Sequence, residues 1–199
     1  MGKIFCLMGK SSSGKDTLFK NLIKENELGL LPVVSYTTRP MRTNEVEGRE
    51  YHFITKEQLE GYKATDKMIE HRVYETVHGP WHYATIDDGQ IDLESHNYLM
   101  IVTLEAYNNL VKYFGEKKVV PLYVEVEDGL RLERAILREK QQLNPNYEEV
   151  CRRFLADSRD FSKERLEESK ILYCYNNINL ELCKDEMKAA ILKAIDETT

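Results

Sequence analysis

The chain has 199 residues, 42% hydrophobic and 31% charged, with a formal net charge of −6. That balance fits a globular domain with a real core and excludes a disordered chain and a general nucleic-acid binder, while leaving room for a local basic pocket that takes a small anion. No apolar run approaches the roughly 20 residues that cross a bilayer, and the short apolar stretch at the start runs into a polar loop, so neither a membrane span nor a signal peptide is expected. Cys6, Cys151, Cys174 and Cys183 form no C-x-x-C pair and sit in apolar or helical patterns. They are expected to be reduced, mostly structural thiols of a cytoplasmic protein.

Ile4-Phe5-Cys6-Leu7-Met8 reads as a buried strand, and Leu18-Phe19-Lys20-Asn21-Leu22-Ile23 has helical apolar spacing. Between them stands Gly9-Lys10-Ser11-Ser12-Ser13-Gly14-Lys15-Asp16-Thr17, a G-x-x-x-x-G-K stretch in the strand–loop–helix setting of a phosphate site. Loop N–H groups and the positive end of the helix dipole converge on one point there. Gly14 lets the backbone approach an anion, and Lys15 supplies a mobile charge for terminal phosphates. Asp16 occupies the position where Ser or Thr usually offers a hydroxyl to Mg²⁺. Either Thr17 serves the phosphates while water fills the metal shell, or Asp16 ligates the metal or its water. A carboxylate beside phosphates needs a cation between them, so Mg²⁺ dependence is expected.

After a polar break at Glu25-Asn26-Glu27, Pro32 to Tyr36 reads as a short strand. Thr37-Thr38-Arg39-Pro40-Met41-Arg42 sets two arginines beside hydroxyls and a stiffening proline, which suits an anion clamp or surface pairing with Glu45 and Glu47. Tyr51 to Ile54 reads as a strand, Lys56 to Tyr62 as a helix and Met68 to Glu75 as an alternating strand. A Gly79-Pro80 turn is expected within Val77 to Thr85, and it spoils the spacing of His78 and His82 as a metal pair. Trp81 and Tyr83 read as packing or ligand-edge residues.

Leu99 to Leu104 reads as a buried strand with Glu105 at its carboxyl end, where open parallel sheets bind ligands and where a helix N-terminus also favours an acid. A helix from Ala106 to Tyr113 should stop at Gly115, Val119 to Val126 should form a strand, and Asp128 can cap the next helix. Arg131, Arg134 and Arg138, then Arg152, Arg153 and Arg159 beyond the break at Asn144-Pro145-Asn146, make an arginine-rich helical hairpin. It is either a solvated helix pair or a lid that closes on phosphates. Ile171 to Tyr175 reads as a strand ending at Asn176-Asn177, and Leu182 to Ile195 as an amphipathic helix. Strands alternating with helices after a phosphate loop predict a parallel α/β sheet.

Over nearly its whole length the chain resembles the guanylate kinase family. Beyond the phosphate loop, Ser35-Tyr36-Thr37-Thr38-Arg39-Pro40-Met41-Arg42, then Glu45, Gly48, Tyr51 and Phe53, matches the family's S-x-T-T-R-x-x-R-x-x-E-x-x-G-x-x-Y-x-F. The resemblance implies an α/β fold with a P-loop parallel core flanked by helices (1–34, 91–127 and 161–199), an inserted nucleoside-monophosphate lobe (35–90) and a helical lid (128–160). It implies ATP-dependent phosphorylation of GMP to GDP with Mg²⁺, by a monomer or homodimer without nucleic-acid or membrane partners. ATP would lie on Gly9, Ser11, Ser12, Ser13, Gly14, Lys15, Asp16 and Thr17, with Asn176 near its adenine and Asp16 or Thr17 toward the metal. Arg39, Arg42, Tyr51 and Tyr83 would hold the acceptor phosphate, and Ser35, Glu70 and Thr85 would read guanine, with Glu105 alongside. Lys15, Arg42, Arg134, Arg138 and Arg153 would serve transfer. Thr103 stands where the family usually has aspartate, and Tyr83-Ala84-Thr85 replaces its Tyr-Gly-Thr in a longer loop. Both departures bear on guanine selectivity. The rival readings are a kinase of the same fold for another phosphorylated acceptor and a non-catalytic binding module of guanylate-kinase type.

Overall fold

The computed structural model describes residues 1–42, 45–76 and 79–197. Strand β1 (Ile4–Gly9) lies at its centre, buried at every position. A strand covered on both faces has no polar side, so its sequence is a continuous apolar run. Helix α1 (Lys15–Lys24) follows, then a short 3₁₀ turn, β2 (Leu30–Pro32), β3 (Tyr36–Thr37), β4 (His52–Phe53) and α2 (Lys56–Ala64). Next come β5 (Met68–Thr76), β6 (Gly79–Ile86), β7 (Asn97–Ile101), α3 (Leu104–Phe114) and β8 (Val119–Glu125). The chain continues through α4 (Asp128–Lys140), α5 (Tyr147–Asp160), α6 (Lys163–Glu168), β9 (Tyr175–Asn176) and α7 (Leu180–Asp196).

The main sheet has the order β2-β7-β1-β8-β9, and each of its pairings is parallel. Alternation along β1 feeds two cores. Ile4, Cys6 and Met8 join Met100, Leu104, Tyr107, Leu110 and Phe161, while Phe5 and Leu7 join Leu18, Leu22, Met187 and Ile191. Helices therefore cover both faces, as parallel crossovers require. A second sheet, β4-β3-β6-β5, is mostly antiparallel. One of its faces packs on α2 through Tyr36, Leu59, Ala84 and Ile86. The start of α2 is a capping box: Gln58 N donates to Thr55 Oγ1 at 3.2 Å and Thr55 N to Gln58 Oε1 at 2.8 Å.

Several elements differ from the sequence reading. The strand expected over 32–36 splits: Pro32 ends β2 in the main sheet and Tyr36 opens β3 in the second. Gly79 and Pro80 open β6 instead of interrupting it, and His78 lies outside the described residues. Asp128 is not the cap of α4; Glu127 is, accepting from Gly129 N and Leu130 N at 2.9 Å each. The strand expected from Ile171 reduces to Tyr175–Asn176, because Ile171 turns into the core while Leu172 is 85% exposed. Strand β7 ends at Ile101, two residues short of Thr103, which caps α3. Cys6 and Cys183 are buried, but Cys151 and Cys174 are exposed and not structural in the expected sense; all four are free thiols. Pro121 is tolerated within β8 because β9 pairs only with Val124 and Glu125, leaving the first part of β8 an edge.

Met187, fully buried between α7 and the sheet, tests this packing. Met187→Ala should cost roughly 2–5 kcal/mol, read as a lower urea midpoint at unchanged slope.

Candidate active site

The loop joining β1 to α1 is shaped by close approach. Gly14 sits at φ 85°, in the left-handed region, and a Cβ there would stand 2.3 Å from Asn177 Nδ2. A Cβ on Gly9 would stand 2.7 Å from the Val124 carbonyl oxygen. Buried Asn177 donates Nδ2 to Ser13 O at 2.8 Å and so props the loop from below. Ser12 holds a left-handed φ of 63°, a strained state for a residue with a side chain. The buried hydroxyls of Ser12 and Ser13 have no hydrogen-bond partner among the described residues. Such groups cost about 1–3 kcal/mol each when left unmet, so a loop that keeps them is arranged for a ligand rich in acceptors. Lys15 is half-buried, while Asp16 and Thr17 are exposed in the first turn of α1.

A clasp ties the helical hairpin to this loop. Arg131 is 2% exposed; its Nη1 donates to Ser11 O at 3.1 Å and its Nη2 to Asp128 Oδ1 at 2.9 Å. Its guanidinium lies 4.4 Å from the Phe154 ring centroid. Asp157 on α5 accepts from Ser11 N at 2.7 Å and pairs with Arg131 at 3.4 Å. The sequence reading set Arg131 among the hairpin arginines, solvated or closing on phosphates, and not as this buried anchor; its i, i+3 spacing from Asp128 is the signal that could have suggested its pairing. Two turns further along α4, Arg138 lines a cavity of about 570 Å³ together with Arg42, Gln142 and Arg153. Arg134 reaches the Asn177 carbonyl at 3.3 Å. Asn176, expected near the loop's ligand, is exposed on β9; the residue that touches the loop is Asn177.

The second sheet gathers the other expected residues on the face away from α2. Glu70 stands opposite Thr85 and Arg72 opposite Tyr83, so all four share a face. Tyr83 meets Tyr51 edge-on at 5.7 Å and Tyr74 at 5.5 Å. Arg39 is not a surface residue: it is 4% exposed, lies 5.0 Å from the Tyr51 ring centroid and donates Nη1 to Glu45 Oε2 at 2.7 Å. This guanidinium holds the Glu45 carboxyl down to about 2. Burial pushes the Tyr51 phenol up. Thr85 donates Oγ1 to Glu70 Oε1 at 2.9 Å, and Arg72 donates Nε to Glu70 Oε2 at 2.8 Å. Arg72 also donates Nη1 to Thr103 Oγ1 at 2.8 Å, and Thr103 accepts from Ala106 N as the cap of α3. Arg72 had no role in the sequence reading, although its i, i+2 spacing from Glu70 on one strand puts both on one face. Ser35 is half-buried and Glu105 is exposed in the first turn of α3. His82 faces the opposite side, 2.9 Å from His71 Nε2, where burial lowers both imidazoles.

A parallel sheet whose central strand feeds a glycine-bearing loop at a helix N-terminus defines a phosphate-loop nucleotide-binding fold. The family model for guanylate kinase matches residues 1–141. The guanylate kinase of Chlorobaculum tepidum is 30% identical over 175 residues, which are 85% of this chain and 77% of that one. That of Porphyromonas gingivalis is 25% identical over 208 residues, covering 98% of this chain and 99% of its own. The Neisseria gonorrhoeae enzyme is 36% identical over 105 residues, 53% of this chain, which spans about half (49%) of that relative's length. The solved guanylate kinase of Anaplasma phagocytophilum superposes with a TM-score of 0.68 over 97% of this chain and 85% of its own; at 18% identity the likeness is one of fold. The chain belongs to the guanylate kinase family.

The Arg39–Glu45 pair predicts a pH dependence. A depressed carboxyl pKa adds stability above the unfolded value, about 4.3 for glutamate, and loses it as pH falls through the folded value of about 2. The unfolding free-energy gap between wild type and Glu45→Gln should be full at neutral pH and narrow across that window. A gap constant from neutral pH to the acid limit of folding would refute the pairing.

Proposed function

We propose that the protein transfers a phosphoryl group from ATP to GMP, giving ADP and GDP. The observation that carries this reading is the cavity where Arg42, from the second-sheet segment, meets Arg138 and Arg153 of the hairpin. Three guanidiniums on two separate units suit a pair of phosphates brought together from two nucleotides.

In this reading residues 1–34, 91–127 and 161–199 form the core, 35–90 the acceptor lobe and 128–160 the lid. The loop from Gly9 to Thr17 holds the donor's phosphates, and its unpartnered serine hydroxyls fit that cargo. Among the described residues no three His, Cys, Asp or Glu side chains could form a metal cage. A magnesium ion would instead rest on Asp16 or Thr17, water and phosphate oxygens, the usual habit of that cation, and would neutralise phosphate charge. Lys15 and Arg134 flank the loop, and Arg42, Arg138 and Arg153 offset charge that spreads over the transferred group. Tyr51 and Tyr83 orient the acceptor phosphate, while Arg39, held by Glu45, fixes the Tyr51 ring. The Arg131–Asp157 clasp anchors the hairpin's base, so its arginine-bearing outer part closes about that anchor and excludes water.

Coupled ADP release from ATP and Mg²⁺, with GMP, dGMP, AMP, UMP and CMP as separate acceptors, tests the reading. ADP release with GMP supports it, failure of all five acceptors to draw ADP points to another phosphorylated acceptor, and a binding module neither hydrolyses nor transfers anything from ATP. Lys15→Ala should lower transfer by about 100-fold or more with an unchanged circular dichroism spectrum and melting temperature.

A further inference from the structure

Resting on the kinase reading above, the acceptor face carries a feature which that reading leaves unused. The Glu70 side chain has no exposed surface. Its Oε1 accepts from Thr85 Oγ1 at 2.9 Å and from Arg72 Nη2 at 3.3 Å, and its Oε2 accepts from Arg72 Nε at 2.8 Å. A carboxylate that reads guanine must turn both oxygens toward the N1 and N2 hydrogens of the base. Here the Arg72 fork covers that side, in the bidentate geometry arginine favours. Thr85 is fully buried as well.

Arg72 is what a ligand reaches first, with 10% of its side chain exposed against none for Glu70. Its hydrogen bonds to Glu70 and Thr103 engage one N–H on each of its three nitrogens. A guanidinium carries five N–H groups, so each terminal nitrogen has a second one; Tyr74 shares a side-chain hydrogen bond with the group, which leaves one N–H for a ligand. The group is held on two sides, by Glu70 within the sheet and by Thr103 at the cap of α3. A donor fixed in this way recognises acceptors. A ring carbonyl matches it, and an exocyclic amino group opposes donor to donor.

We propose that Arg72 is the residue that reads the acceptor's base, donating to a ring carbonyl, and that Glu70 is a positioning residue that aims it. The acceptor class is then the nucleoside monophosphates with an oxo group at this edge, the 6-oxopurines first among them. The 2-amino group of guanine goes unread, so GMP and IMP are alike to this protein, and AMP is rejected.

The test measures kcat/KM, and Kd by equilibrium dialysis, for GMP, IMP and AMP with wild type and Arg72→Ala, with melting temperature as the check on folding. For wild type, GMP and IMP should agree within about tenfold and AMP should be at least about 100-fold poorer. Arg72→Ala uncovers Glu70, so the GMP-to-IMP preference should rise by about tenfold or more, carried by Kd and KM. A wild-type GMP preference over IMP above about tenfold overturns the inference, because Glu70 then reads the base with Arg72 displaced. An equal loss for all three monophosphates in Arg72→Ala also overturns it, since Arg72 then serves the phosphate. If Arg72→Ala does not fold, the wild-type ratio alone decides. Strict GMP turnover defeats only this inference, whereas failure of every monophosphate to draw ADP from ATP defeats the kinase reading beneath it.

Discussion

Everything in this structure is arranged around a loop that cannot satisfy itself. Gly9 and Gly14 bring backbone against Val124 and Asn177 so closely that no side chain fits at either position. The turn this enforces strands two serine hydroxyls without partners among the described residues and holds Ser12 in a strained conformation. A marginally stable domain keeps such costs only where the surrounding core over-determines the local geometry. That core is the fully buried β1 and the helices on its two faces. The rigidity of the sheet is therefore the condition for the loop's unmet donors, which the proposed function assigns to phosphate.

The second constraint is where the arginines stand. On α4 they separate by height. Arg131 is locked at the base against the loop, Arg134 touches Asn177, and Arg138, two turns above Arg131, faces the shared cavity. One helix thus separates the anchoring arginine from the one that lines the cavity, because residues along one of its faces rise by about 5 Å per turn. Asp157 completes the anchor from α5, so the clasp couples both arms of the hairpin to the loop.

Charge on this face of the second sheet is handled by pairing of largely buried groups. Arg39 with Glu45 and Arg72 with Glu70 each bury a bidentate guanidinium–carboxylate pair. Such pairs add little net stability over apolar residues, but removing one partner is costly, so they fix geometry more than they add to ΔG. The consequence for recognition is that a buried carboxylate counts as a reader only when its partner leaves it exposed. Glu70 is sealed, and the exposed edge of its pair is cationic.

The apolar run from Ile4 to Met8, the G-x-x-x-x-G-K stretch, the stop of α3 at Gly115 and the two arms of the arginine hairpin were legible in the sequence, because each depends on local periodicity or on a residue with a fixed backbone preference. The identity of the loop followed from its spacing between strand and helix, and the family from the resemblance of Ser35 to Phe53 to that family's pattern. The sequence did not reveal that Pro32 and Tyr36 serve different sheets, that Asn177 supports the loop, or that Arg131 and Asp157 meet. Nor did it reveal that Arg72 covers Glu70. Those outcomes depend on register between β5 and β6, on the approach of Thr103 from α3, and on contacts between residues far apart in the chain. Local chemistry determined which residues could meet phosphate and base. Only tertiary packing decided which of them face a ligand, because exposure belongs to the whole fold and not to any one segment.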